Sequence, residues 1–280
     1  MDSLINGKDS GRVLYIEIKR ILSSILFFLI PIALLLFVWE IVAALKIINP
    51  ALVSRPSEIF PLLFELVTPE ERSFLGHSIL LDVCTSLYRL LYAFIIAVVS
   101  GVGLGMLMGR NRFVYRFFDP LITVAMPIPG IAWTPIFMLW LGFGDPTIIT
   151  VGALAAFFPI VYNTAAGVRS VDKKLIWCAR SMGADEKNIF LKVFLPWSAA
   201  YIFTGFKLAL ARGWRTIIAV EMIAASLLGL GFVIFSARDY LRPSIIYAGI
   251  IVLVVIYFLI ENVVKLIEKR TIEKWGMVRS

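Results

Sequence analysis

Charge is scarce in this sequence. Asp, Glu, Lys and Arg make up 16% of its 280 residues, 60% are hydrophobic and the mean hydropathy is +0.90. Soluble domains carry about 25% charged residues to cover their surface. A chain this poor in charge is excluded from that class and reads as an integral membrane protein. Histidine occurs once, as His77, and cysteine twice, as Cys84 and Cys178. Neither H-E-x-x-H nor G-x-S-x-G occurs, which argues against an intramembrane hydrolase, and no metal or cofactor is expected. A phosphate-cradling G-x-x-x-x-G-K-[ST] loop is also missing; "NGKDSG" near the start lacks its first Gly and the helix that should follow. Any ATP hydrolysis must belong to another polypeptide.

What is present in abundance is long apolar sequence. A helix needs about 20 apolar residues to cross about 30 Å of hydrocarbon. Six windows qualify: Ile21–Leu45, Leu87–Met108, Pro120–Leu141, Thr147–Val168, Ala199–Leu228 and Ile245–Ile267. The third and fourth are separated by the turn "GFGDP", Gly142–Pro146. The first run is too long for a signal-peptide core and no A-x-A-like site follows it, so it is expected to remain as a span.

Basic residues orient the spans. With the N-terminus inside, the cytoplasmic side holds Lys8, Arg12, Lys19 and Arg20, then Arg110, Arg112 and Arg116, six residues within Arg169–Lys192 and five within Lys265–Arg279. The other side holds only Lys46, Arg55, Arg72, Arg238 and Arg242. The positive-inside rule therefore predicts an all-α protein of six spans with both termini cytoplasmic. Residues 1–20 are the expected N-terminal tail, 21–268 the membrane domain and 269–280 the C-terminal tail. The net charge of +8 reflects this distribution, and no nucleic-acid partner is expected. On that topology Cys84 and Cys178 fall on opposite sides, so no disulfide between them is expected.

Two spans carry special residues. "SGVGLGMLMG" places Gly101, Gly105 and Gly109 four apart on one helix face, a pattern that lets membrane helices approach closely or serves as a hinge. "MPIPGIAWTP" puts Pro127, Pro129 and Pro135 within the third span, predicting a kinked or irregular helix, either lining a pathway or packed.

The longest polar connection is Arg169–Pro196. Ser170 is expected to cap a first helix, with Asp172 in its first turn and Val171, Leu175, Cys178/Ala179 and Met182 forming an apolar stripe. Gly183 suits the C′ position, Asp185 can cap a second helix starting at Glu186, and Pro196 should break the chain before the fifth span. An idle connection would be shorter.

These residues carry a family resemblance. Cys178, Ala179, Gly183, Leu195 and Pro196 fall at the spacing of the "EAA" loop of ABC-importer permease subunits. Trp177 stands where that motif has Glu, and Cys178 where it has its first Ala. The stretches His77–Gly109, Met126–Asp145 and Phe203–Ile234 further resemble the nitrate/sulfonate/taurine-type permeases. The resemblance implies a subunit that dimerises, as a homodimer, around the translocation path in a prokaryotic inner membrane. It implies a coupling surface of Trp177, Cys178, Ala179, Arg180, Gly183, Ala184, Asp185, Leu195 and Pro196 that docks on an ATP-binding subunit, present in two copies. An extracytoplasmic solute-binding protein would deliver the substrate. Nitrate, a sulfonate, taurine, bicarbonate and a pyrimidine vitamin precursor all remain open as that solute.

Ionisable residues inside the spans have two readings. Lys207, Trp214 and Glu221 recur every seven residues on one face of the fifth span, with Arg212 and Arg215 beside them. They either line a polar path, together with Pro127 and Pro129, or form ion pairs such as Arg215 with Glu221 of a neighbour; Lys207 can also snorkel to the interface. Asp82 and Arg89 share a face without reaching each other, and His77 sits at a helix start in a packing or cap role. A secondary transporter or channel for a small polar solute is the competing class, but a secondary transporter would need coupling-ion residues and commonly repeat halves, neither of which is evident.

Overall fold

The structure is a computed structural model that describes residues 30–49, 52–68 and 76–274, with side chains to 271, together with Lys19, Ser23 and Phe27. Most of the expected N-terminal tail, the start of the first expected span and the last residues of the C-terminal tail lie outside the described residues. Among the described residues all regular structure is helical.

The helices are α1 (Ile30–Ala44), α2 (Pro56–Val67), α3 (Ile79–Arg110), α4 (Arg112–Ala125), α5 (Thr134–Leu141), α6 (Asp145–Arg169), α7 (Lys173–Ser181), α8 (Glu186–Ile189), α9 (Leu195–Ala224), α10 (Leu230–Asp239) and α11 (Pro243–Lys274). Among the described residues four helices are long and apolar enough to cross a membrane, and the broken pair α4–α5 makes a fifth candidate. Large apolar side chains such as Leu139, Trp140, Val254 and Phe258 face outward. Such a surface matches lipid rather than water.

The centre of the bundle is α3, α6 and α9, and glycine sets how closely they approach. A Cβ on Gly101, Gly105 or Gly109 of α3 would lie 2.9, 2.6 or 2.3 Å from Ile160, Thr164 or Val168 of α6. The two helices thus meet through matched four-residue rows, the small row accepting the branched one. On its other side, Gly152 and Gly167 of α6 receive Ile217 and Tyr201 of α9 at 2.7 Å by the same measure. Packing at backbone distance gains dispersion without side-chain entropy cost. Around this core, α1 joins α2 through Glu40, which accepts from the Ser57 hydroxyl at 2.9 Å, and joins α11 through Trp39 against Tyr247.

The third expected span is not one rod. Asn111 caps α4 by accepting from Phe113 and Val114 N–H, so the helix begins at Arg112, well before the expected Pro120. The chain then turns by 95° before α5. Pro127 and Pro129 supply no N–H to continue the ladder, and Pro129 is extended (ψ 134°), so the path restarts as a short 3-10 turn, Gly130–Trp133. The fifth span also differs from expectation. Pro196 does not break the chain: helix runs on from Glu186 to Ala224. The turn Phe190–Phe194 opens to π geometry, with Leu195 N–H bonding Phe190 O, and this relieves the clash a proline makes with the carbonyl four residues back. α10 interrupts the sequence between α9 and α11 as a separate short helix.

Candidate functional site

Two regions gather the residues singled out in the sequence, one before the start of α9 and one along its second half. The first is the α7–α8 hairpin. Its helices start on carboxylate caps: Asp172 accepts from Lys174 N–H at 2.9 Å and Asp185 from Asn188 N–H at 2.8 Å. Asp172, not Ser170, is thus the first cap; Ser170 ends α6, donating to Gly167 O and accepting from the Trp197 indole. A carboxylate accepts more strongly at a positive helix end than a hydroxyl does. The Asn188 hydrogen bonds hold the Asp185 carboxyl below the usual carboxylate range. Gly183 has φ +79°; its N–H bonds Arg180 O and the Ala184 N–H bonds Ala179 O, which closes α7 in a Schellman motif.

The hairpin is tied down on one side and open on the other. Glu186 accepts from Arg110 at the end of α3 and from Arg180 of α7, the latter at 2.8 Å. No residue of α7 is buried; Trp177 is 61% and Met182 87% exposed, with Cys178 beside them. Ile189 is buried and Ala179 and Ala184 are half-buried, so the anchoring face and the offered face are distinct.

The second region is a cavity of about 420 Å³ in the crook of the α4–α5 bend. Met126, Pro127, Ile128, Pro129, Gly130 and Trp133 form one wall, Leu154, Ala155 and Phe158 of α6 another, and Arg212, Arg215 and Thr216 of α9 the third. Gly130 sits so close to α9 that a Cβ there would fall 2.6 Å from Thr216. Arg215 folds its Nε–H onto Ala211 O at 2.9 Å, and its guanidinium has no acidic partner among the described residues. The lining includes no carboxylate. Among the described residues no carboxylate pairs with either cation, an arrangement whose chemistry suits a small anion.

The cavity does not include every residue of the sequence-based grouping. Trp214 and Glu221 are 1% and 0% exposed, on the side of α9 turned into the core. Glu221 is not paired with Arg215. It accepts from Arg89 at 2.8 Å, Ser86 at 2.9 Å and Gly231 N–H at 3.0 Å. Arg89 also bonds Asp145 and Leu228 O, and Asp82 accepts from Gly229 N–H and pairs with His77. Lys207 pairs with Glu268 of α11 at 2.9 Å. The seven-residue spacing correctly placed Lys207, Trp214 and Glu221 on one face, but that face looks inward. The cost of an unpaired intramembrane charge was the signal that Arg89, Asp82 and Glu221 each needed a buried partner.

Comparison with known proteins converges on one family. Residues 101–273 match the family described as binding-protein-dependent transport system inner membrane component. The chain is 34% identical over 247 residues to the taurine transport system permease protein TauC of Escherichia coli (strain K12), covering 88% of this chain and 89% of that one. It is 30% identical over 243 residues to the putative aliphatic sulfonates transport permease protein SsuC of Bacillus subtilis (strain 168), covering 87% and 85%. A solved inward-facing conformation of the MetNI methionine ABC transporter superposes with a TM-score of 0.61 at 19% identity, over 73% of this chain and 99% of that chain, a likeness of fold.

Proposed function

Given that the chain belongs to the binding-protein-dependent transport system inner membrane components, the permeases of ABC importers, we propose that it forms, with a second copy of itself, the path by which a small anion crosses a prokaryotic inner membrane. The solute is of the sulfonate or small-oxyanion type, which includes taurine, nitrate and bicarbonate. The observation that carries this reading is the cavity at the proline bend, with Arg212 and Arg215 on its wall and no carboxylate among its lining residues. The relatives named for taurine and aliphatic sulfonates, solutes that each carry an anionic sulfonate group, support the same class.

Six crossings with both termini in the cytoplasm accord with the loop charges, with four long apolar helices, with the broken α4–α5 pair as one crossing and with α1 as another. On that topology α7–α8 faces the cytoplasm and docks on a separate ATP-binding subunit, one for each permease copy. Trp177, Cys178 and Met182 form its apolar contact, and the Gly183 turn and Asp185 cap hold the hairpin's shape. Trp177 in place of the family's Glu makes this contact more apolar. A solute-binding protein delivers substrate at the opposite face.

Transport by vesicles holding the complete complex tests the path. Arg215→Gln removes the charge, and Arg215→Lys keeps it but loses the planar fork that grips an oxyanion at two points. Uptake of labelled taurine, an alkanesulfonate, nitrate and bicarbonate should identify the class, and both variants should lower the uptake of the accepted solute at unchanged complex yield. Wild-type uptake in Arg215→Gln would remove the arginine wall from the path.

A further inference from the structure

Far from the α7–α8 hairpin, a buried polar cluster holds the start of α10. Gly229, Leu230 and Gly231 donate their backbone N–H groups to Asp82 at 2.9 Å, Ser86 at 3.0 Å and Glu221 at 3.0 Å, respectively. Arg89 donates to the Leu228 carbonyl at 2.8 Å in the same loop. Four successive residues are thus seized by side chains of α3 and α9. Asp82, Ser86 and Arg89 follow helical spacing on one face of α3, and Glu221 faces them from α9.

The seat accepts little else. Gly229 has φ +128°, and a Cβ there would lie 2.6 Å from the Arg89 guanidinium and 2.7 Å from the Glu221 carboxyl carbon. A Cβ on Gly231 would fall 2.2 Å from Ile218 O. Arg89 completes the arrangement by bridging Glu221, which is fully buried, and Asp145 at the start of α6, which is 47% exposed. The Gly144 N–H meets Ala224 O at 2.8 Å, so the α5–α6 turn closes on the end of α9 beside the same cluster.

Stability alone is a poor reason for such a cluster. Desolvating a guanidinium and two carboxylates costs about as much as their attraction returns, and apolar residues of the same volume commonly do as well. The α3–α6–α9 core is already held by its glycine rows. What the cluster adds is direction, because its bonds converge on the backbone that begins α10 and on nothing further along that helix. α9 also reaches the hairpin at its other end without a break, as part of the 39-residue helix Glu186–Ala224, about 58 Å long at 1.5 Å per residue.

We propose that Arg89 and Glu221 are positioning residues for transport: with Asp82 and Ser86 they form a rigid joint that makes α10 move with both α3 and α9. A displacement imposed on α7–α8 by the ATP-binding subunit is thereby delivered to the far face of the membrane. This rests on the importer reading above. The joint touches neither the cavity nor the hairpin, so loosening it should leave ATP hydrolysis running while transport fails.

The test measures solute uptake and ATP hydrolysis on the same vesicles containing permease, ATP-binding subunit and solute-binding protein. Wild-type vesicles come first, and absence of stimulated hydrolysis or uptake there would count against the importer reading, not the joint. Arg89→Lys keeps the charge but cannot reach Asp145, Glu221 and Leu228 O together. Glu221→Gln keeps the shape and removes the ion pair. In both, stimulated hydrolysis should stay within about twofold of wild type while uptake falls about tenfold, the effect of 1.4 kcal/mol on the coupled state; the ATP consumed per solute rises accordingly. Asp82→Asn, which keeps an oxygen for Gly229 N–H, should raise the same ratio to a smaller extent, and it decides the matter if the stronger variants fail to assemble. An unchanged ratio, with uptake and hydrolysis falling together or both intact, overturns the proposal, as does failure of Asp82→Asn to assemble.

Discussion

Gly103 and Gly105 lie two residues apart in α3, yet a methyl group added to each should have opposite effects. At Gly103 nothing lies within 4 Å of the added Cβ. Gly103→Ala therefore gains the intrinsic helix preference of alanine, up to about 1 kcal/mol, with no packing cost. At Gly105 the added carbon would fall 2.6 Å from Thr164 Cβ and 2.9 Å from Val161 O. Normal carbon–carbon contact is about 3.5–4.0 Å, so α3 and α6 would have to part by about 1 Å. Overpacking of this kind costs about 1–3 kcal/mol, and the helix-preference gain offsets only part of it. Gly105→Ala should therefore destabilise by about 1–2 kcal/mol, and Gly109→Ala, where the gap to Val168 Cβ is 2.3 Å, by more. The assay is the SDS mole fraction at half unfolding of the purified protein in detergent, read by far-UV circular dichroism. Equal shifts for Gly103→Ala and Gly105→Ala would refute the claim that close approach at every fourth residue holds these helices together.

The topology and the hairpin lend themselves to direct tests. Cysteine at Lys187 should resist a membrane-impermeant thiol reagent added to intact cells in a Cys84-free background, whereas Arg238→Cys should react; the reverse pattern would invert the protein. Gly183→Val forces a branched side chain into φ +79°, at a cost of about 1–2 kcal/mol to the turn. It should uncouple the ATP-binding subunit without preventing membrane insertion, and unchanged co-purification and stimulated hydrolysis would remove α7–α8 from the docking role.

Much of this fold was legible because the bilayer imposes strict rules. Apolar windows gave α3, α6, α9 and α11 their approximate places, and the spacing of Gly101, Gly105 and Gly109 named the face that meets α6. Gly183 and Asp185 declared their caps through local chemistry alone. What the sequence did not disclose depends on distant parts of the chain. Arg89 meets Glu221 and Asp145 from far along the sequence, so helical spacing within α3 gave its face but not its partners. The prolines signalled an irregular helix within Met126–Pro135, yet neither the place and angle of its bend nor the cavity it forms with α9 is written in those residues. Pro196 was misread because the remedy for a proline, one widened turn upstream, is visible only in the backbone.

The glycine rows between α3 and α6 also restrict how these helices can travel past one another. Ile160, Thr164 and Val168 each occupy the gap left by one glycine, and the gaps repeat every four residues, about 6 Å along the axis. A slide of one or two residues would lift all three branched side chains out of their gaps together. The next register of equal fit lies a full repeat away, with one row left overhanging. The pair therefore has no small sliding mode: α3 and α6 keep step, and displacement within the subunit is left to its hinges.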